Sequence, residues 1–318
     1  MCALFGFLDY GKQTSHKTLQ KLVQLLAHAS EVRGTHASGI SYIQNNELKI
    51  YKRPKPAHKM HFRIPDNTTA LMGHTRFTTQ GDQKKNCNNH PFRGYADMPF
   101  ALAHNGVLYN DDSLRREKNL PATDIETDSY IAVQLIESQR KLSFESLRYA
   151  AEAVRGYFTF TLLDMQNRLY FVKGESPLYL LHFPATGLYV YASTKEIMED
   201  ALRRMHLQWQ KHTVIDVTEG EILCIDSCGS ITRDCYTVQK DSYGFSYRYP
   251  QSYYPWEDTF HSPRLHAEYH LLADLCGYYG VTPEEVQYLF DMGYTYDEVE
   301  AFLMDPGALQ AELACAEV

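Results

Sequence analysis

The strongest constraint on the fold is a succession of short apolar or alternating segments punctuated by turn residues. Residues 40–43, 48–52, 70–74, 100–104, 157–164, 169–173, 179–182, 188–191, 214–217, 221–225 and 231–236 each read as a strand. Asn45-Asn46 marks the turn of a hairpin, and the later strands follow one another at hairpin spacing. Residues 2–9 read as a further, buried strand. Helical periodicity is confined to a few places. Leu19, Leu22, Val23 and Leu26 predict a helix over 15–29, and others are expected over 124–138, 143–154 and 193–204. Many hairpins with few helices between strands exclude a doubly wound parallel sheet. They predict antiparallel sheets with helices packed outside, an α+β fold.

Charge and composition exclude several functional classes. The chain has 39 acidic against 31 basic residues, a net charge of −8, which argues against nucleic acid as a partner. No run of about 18 apolar residues exists, so no membrane span is expected. The N-terminus lacks a basic region followed by a long apolar one, so no signal peptide is expected. The seven cysteines are too sparse for a disulfide scaffold, and together these points predict a reduced, cytoplasmic compartment. Cys224, Cys228 and Cys235 lie in a strand-like stretch without paired C-x-x-C spacing, so no metal is expected. No cofactor is expected either.

The composition changes near residue 240. The 24 tyrosines are unevenly spread, and 243–256 reads YGFSYRYPQSYYPW, without a helical or strand period. This reads as an extended linker over 241–261, or else as an aromatic docking strip. A small helical module is expected over 262–318. Ser262 precedes Pro263, and Thr282 with Glu285 and Thr295 with Glu298 are capping boxes. The first 240 residues would form the main domain. Within it the basic stretch YKRPKPAHKMHFR, 51–63, is either a solvated hairpin edge or a site for an acidic partner.

The candidate chemistry begins at the second residue. Cys2 follows an initiator Met whose removal is expected before so small a side chain, leaving a thiol and a free α-amine on one residue. Their reference pKa values, about 8.5 and about 7.7–8.0, let the amine take the thiol proton near neutral pH. Arg76, in GHTRFTTQG, can bind a carboxylate bidentately. His104-Asn105-Gly106 ends a strand and offers an amide and a backbone N–H suited to an oxyanion. Thr127-Asp128-Ser129 opens a helix with a carboxylate that can hold an ammonium group. Taken singly, Arg76 and Asp128 also fit a bracing ion pair, and Asn105-Gly106 also fits a turn. Together, a carboxylate binder and an ammonium binder fit an amino-acid head group, while a thiol and an oxyanion hole perform acyl transfer.

In this order MCALFGF, RGTHASGI, GHTRFTTQG, NNHPF, HNGVLYN and ETDS resemble the class II glutamine amidotransferase domain over residues 2 to about 240. The resemblance implies the N-terminal nucleophile hydrolase fold, a four-layer αββα sandwich of two antiparallel sheets. It also implies that Cys2 attacks the side-chain amide of L-glutamine, with its own α-amine as base. Asn105 and Gly106 would hold the oxyanion. Arg76 would hold the α-carboxylate with Thr79 at the pocket edge, and Asp128 the α-ammonium. Arg33, His74 and His90 would shape and close the site. Phe77 and Gln80 depart from residues common in relatives, which bears on the loop they occupy. The 78 residues after 240 are too few for a synthase domain, and no P-loop motif appears. Ammonia would therefore go to a separate acceptor enzyme, with the tail as docking element. An independent γ-glutamyl amide hydrolase and a non-enzymatic glutamine-binding scaffold remain the alternatives.

Overall fold

The computed structural model describes residues 2–205 and 210–239, and isolated positions between 281 and 309. The chain divides into two compact units, Cys2–Asp241 and Ser242–Val318 with Met1.

In the larger unit two antiparallel sheets form the middle layers. One has strand order β11-β9-β10-β1-β4-β2-β3. Its strands are β1 (Ala3–Asp9), β2 (Ala37–Gln44), β3 (Glu47–Arg53), β4 (Ala70–Arg76), β9 (Tyr179–Phe183), β10 (Leu188–Ala192) and β11 (Thr213–Val214). The other has order β13-β12-β8-β7-β6-β5. It comprises β5 (Phe92–Tyr95), β6 (Pro99–Leu108), β7 (Gly156–Asp164), β8 (Leu169–Lys173), β12 (Glu221–Ile225) and β13 (Ile231–Cys235). The helices are α1 (His16–Ala29), α2 (Asp111–Glu117), α3 (Tyr130–Ser138), α4 (Phe144–Ala153) and α5 (Lys195–Arg203).

The strand pattern explains the layering. On β1, Phe5 and Phe7 pack with Leu22 and Leu26 of α1 and Met198 of α5, while Leu4 and Leu8 turn to the other sheet. Leu4 and Leu8 join Met72, Ala103, Phe171 and Leu223 between the sheets. Beyond the second sheet, Leu102, Phe160 and Ile222 pack on Ile131 and Leu135 of α3 and Leu147 of α4. A strand covered on both faces is buried along its whole length, as β1 and β4 are at every position. The four-layer αββα sandwich expected from the resemblance is the fold observed.

Several boundaries differ from the sequence reading, and three of them place candidate site residues. β6 runs on through Asn105 and Gly106 to Leu108, so this dipeptide lies inside a strand rather than at a turn. β4 runs on to include Arg76, two residues past the strand expected over 70–74. α3 begins at Tyr130, after Asp128, because the backbone from Thr127 to Ser129 forms a turn that starts it, with Tyr130 N–H donating to Thr127 O. The short helix α2 and strand β5 were not anticipated.

In the smaller unit the Thr282–Glu285 capping box is formed. Thr282 N–H donates to Glu285 Oε2 at 2.7 Å and Glu285 N–H to Thr282 Oγ1 at 3.3 Å. Val286, Leu289, Val299 and Leu303 are buried. The Tyr-rich segment, Ser262 and Thr295 lie outside the described residues. Among the described residues, no helix is long and apolar enough to cross a membrane.

Candidate active site

Cys2 sits just ahead of β1 and is buried. β1 pairs with β4 through Ala3 opposite Thr75, which brings Cys2 alongside Arg76 at the end of the ladder. The Cys2 thiol donates to Phe77 O at 3.4 Å, and Arg33 Nε donates to Cys2 O at 3.0 Å. Burial pushes the thiol pKa up, so the thiol is neutral at rest and needs a base to become a nucleophile.

Arg76 is buried, and burial pulls its pKa down against the favourable fields of Cys2 and Asp128. Its Nη1 donates to Asn89 Oδ1 at 2.8 Å, and its Nη2 to Gln80 O at 2.5 Å and Gly81 O at 3.3 Å. Thr79 is half-buried in the loop just after Arg76. His36 stacks on Phe77 and its Nδ1 accepts from Thr78 N–H at 3.0 Å, which fixes the start of that loop.

Asn105 and Gly106 come from the facing sheet. Asn105 is fully buried; its Nδ2 donates to Ser193 Oγ at 3.5 Å, and its Oδ1 has no hydrogen-bond partner. Gly106 has φ +138°, and a Cβ there would lie 1.8 Å from Tyr157 O, so β6 can lie against β7 here only with glycine. Ser193 links the two sheets. Its Oγ accepts from Leu4 N–H at 2.8 Å as well as from Asn105, and its own N–H donates to Leu4 O at 2.9 Å. The segment that begins at Cys2 and the Asn105 amide thus share one hydroxyl.

Asp128 is buried. Its Oδ2 accepts from Leu108 N–H at 2.7 Å and its Oδ1 from Ser129 Oγ at 3.2 Å. Ser129 Oγ is in turn 2.8 Å from His104 Nδ1. His74 Nε2 donates to His104 O at 2.9 Å. The His90 ring lies tilted against that of His74 with centroids 4.1 Å apart, and neither His90 nitrogen has a partner. Burial lowers the pKa of all three histidines, to about 3 for His74, so they pack as neutral rings rather than as proton carriers.

The structure therefore gathers Cys2, Arg33, Arg76 and Thr79 at one end of the first sheet. Asn105, Gly106 and Asp128 belong to the second, and His74 and His90 lie beside them. Cys224 is buried while Cys228 and Cys235 are exposed, and no group of three or more potential metal ligands occurs among the described residues. Sequence reasoning missed Ser193, Ser129 and Asn89. Ser193 was read as the start of a helix, but Thr194 caps α5, which frees the Ser193 hydroxyl for Leu4 and Asn105.

Part of this chain is similar to known proteins. Residues 74–200 match the family model described as a glutamine amidotransferase domain. Glutamine–fructose-6-phosphate aminotransferase (isomerizing) of Bacillus thuringiensis subsp. konkukian is 32% identical over 56% of this chain and 30% of that protein. Its namesake from Staphylococcus aureus is 28% identical over 76% of this chain and 40% of its own length. The chain thus spans well under half the length of these curated relatives. The solved glutamine phosphoribosylpyrophosphate amidotransferase of B. subtilis shares the fold, with a TM-score of 0.59 and 18% identity over 75% of this chain and 50% of that one. Through residues 74–200 the chain thus matches the glutamine amidotransferase domain, and Arg76, His90, Asn105, Gly106 and Asp128 all lie within the matched segment.

Proposed function

We propose that the domain, residues 1–240, hydrolyses the side-chain amide of L-glutamine. With Met1 removed, the Cys2 α-amine accepts the thiol proton and Sγ attacks the γ-carboxamide carbon. Asn105 Nδ2 and the Gly106 N–H hold the resulting oxyanion. The ammonium formed at Cys2 returns its proton to the leaving nitrogen, and ammonia departs from a γ-glutamyl thioester. Water adds to the thioester by the same base and hole, releasing glutamate and the thiol. Arg76 and Thr79 hold the α-carboxylate and Asp128 the α-ammonium, while Arg33, His74 and His90 shape the site. The observation that carries this reading is the shared Ser193 hydroxyl, which ties the Cys2 end of β1 to Asn105 across the two sheets.

The ammonia serves a separate acceptor enzyme, which docks on the Tyr-rich linker 241–261 and the helical module 262–318. These are the segments beyond the amidotransferase unit. The reaction fits the cytoplasm, where a free thiol such as Cys2 stays reduced.

The test is glutamate release from L-glutamine by protein shown to lack Met1. Release should vanish in Cys2→Ala and in protein whose Cys2 amine is blocked by a residual tag. Full activity with a blocked amine would refute the mechanism.

A further inference from the structure

A second network, formed by Asp82, Lys85, Asn88 and Glu126, holds the loop after Arg76. Glu126 Oε2 accepts from Asp82 N–H at 3.1 Å and from Asn88 Nδ2 at 2.8 Å, and Oε1 pairs with the Lys85 ammonium. In return the Glu126 N–H donates to Asn88 Oδ1 at 2.9 Å. Asn88 is fully buried, and its Nδ2 also reaches Asp82 O at 2.9 Å. Gly81, at φ +77°, leaves room for this contact: a Cβ there would lie 3.0 Å from Glu126 Cβ and 3.3 Å from Asn88 Nδ2. The Lys85 ammonium and these N–H donors hold the Glu126 pKa down to about 2, so the carboxylate stays charged through any working pH.

The network joins the two ends of the proposed substrate pocket. On one side are Gln80 and Gly81, whose carbonyls receive Arg76, and Asn89, whose Oδ1 does the same. On the other, two residues after Glu126, is Asp128. We propose that Glu126 and Asn88 are a latch that fixes the spacing between Arg76 and Asp128, and so sets the affinity for a free α-amino-acid head group. This inference rests on the glutaminase reading above. The head group stays bound from Michaelis complex to transition state, so loosening the latch weakens both states equally. KM should rise while kcat holds.

The experiment compares wild type with Glu126→Gln, Asn88→Asp and the double variant, in steady-state glutamate release. Glu126→Gln removes the charge that holds Lys85, and Asn88→Asp sets two carboxylates against each other. Each should raise KM for L-glutamine by about tenfold with kcat within about twofold, the scale for losing a charge-assisted hydrogen bond. The double variant restores the amide–carboxylate bond across the pair, but neither the Asn88 bond to Asp82 O nor the Lys85 pair, and should recover part of the affinity. A fall in kcat at unchanged KM, or single variants with wild-type KM, would overturn the latch. So would a double variant no better than the worse single. Should wild type release no glutamate, the glutaminase reading fails on its own. Calorimetric binding of L-glutamine then decides: weaker binding by Glu126→Gln than by wild type upholds the latch, and equal or undetectable binding by both overturns it.

Discussion

Replacing Ser193 with alanine separates structural bracing from catalytic positioning at one atom. The Ser193 hydroxyl is the acceptor for Leu4 N–H at 2.8 Å, with both residues fully buried. Alanine leaves that N–H without a partner and admits no replacement, a loss of about 1–3 kcal/mol. At roughly 2–4 °C per kcal/mol for a domain of this size, the melting temperature should fall by about 2–12 °C. The β1–β10 ladder itself survives, because Ser193 N–H still donates to Leu4 O. The second consequence falls on Asn105. Its Nδ2 loses Ser193 Oγ, and its Oδ1 already has no partner, so no hydrogen bond then orients the amide. An oxyanion donor lost outright costs about 100- to 1000-fold in kcat, and a loosened one should cost about 10- to 100-fold. KM should stay within about twofold, since neither Arg76 nor Asp128 bonds to Ser193. Thermal denaturation and steady-state glutamate release measure the two effects on one preparation. A lower melting temperature with wild-type kcat would show that Ser193 braces β1 without placing Asn105, and unchanged stability would refute the burial argument itself.

Two further predictions concern the same core. Gly106→Ala puts a Cβ 1.8 Å from Tyr157 O at φ +138°. Backbone strain of this kind costs about 1–3 kcal/mol even before β6 and β7 separate, so the variant should melt at least about 2 °C lower and lose activity; an alanine variant with wild-type melting and turnover would refute the requirement for glycine. The buried histidines predict acid sensitivity. Burial holds the folded pKa of His74 at about 3 and those of His90 and His104 below the usual 6.5, so the unfolded chain binds protons that the folded one refuses. Stability should therefore be fully present above about pH 6.5 and fall as pH drops below it, by up to about 1.4 kcal/mol per pH unit for each imidazole. His90→Leu should flatten the fall in stability below about pH 6.5 in denaturant titrations. An unchanged slope would show that His90 takes up its proton in the fold.

What the sequence revealed and what it hid divide along a physical line. Hairpin spacing and helical periodicity are local, so most strands and most helices are legible in the sequence alone. The boundaries that moved lie where tertiary pairing overrides local signals. Asn105-Gly106 has the composition of a turn, yet β6 pairs with β7 through both residues, opposite Thr159 and Phe158. Arg76 sits among polar residues, yet it pairs with Ala37 of β2 as the last residue of β4.

The candidate site shows the same division at the level of side chains. Cys2, Arg76, Asn105 and Asp128 stood out because few residue types supply a thiol nucleophile, a bidentate cation, an amide donor and a carboxylate. The groups that aim them did not stand out. Ser193 acts on Leu4 across 189 residues of chain, and Glu126 acts on Asn88 across 38. Serine, asparagine and glutamate are common in any soluble chain, and a single hydrogen bond leaves no periodic trace. Reactive chemistry is thus written in residue identity, whereas its positioning is written in long-range pairing that only the folded chain displays. Variants at Ser193 and Glu126 consequently test the fold's contribution separately: the first should move kcat, and the second KM.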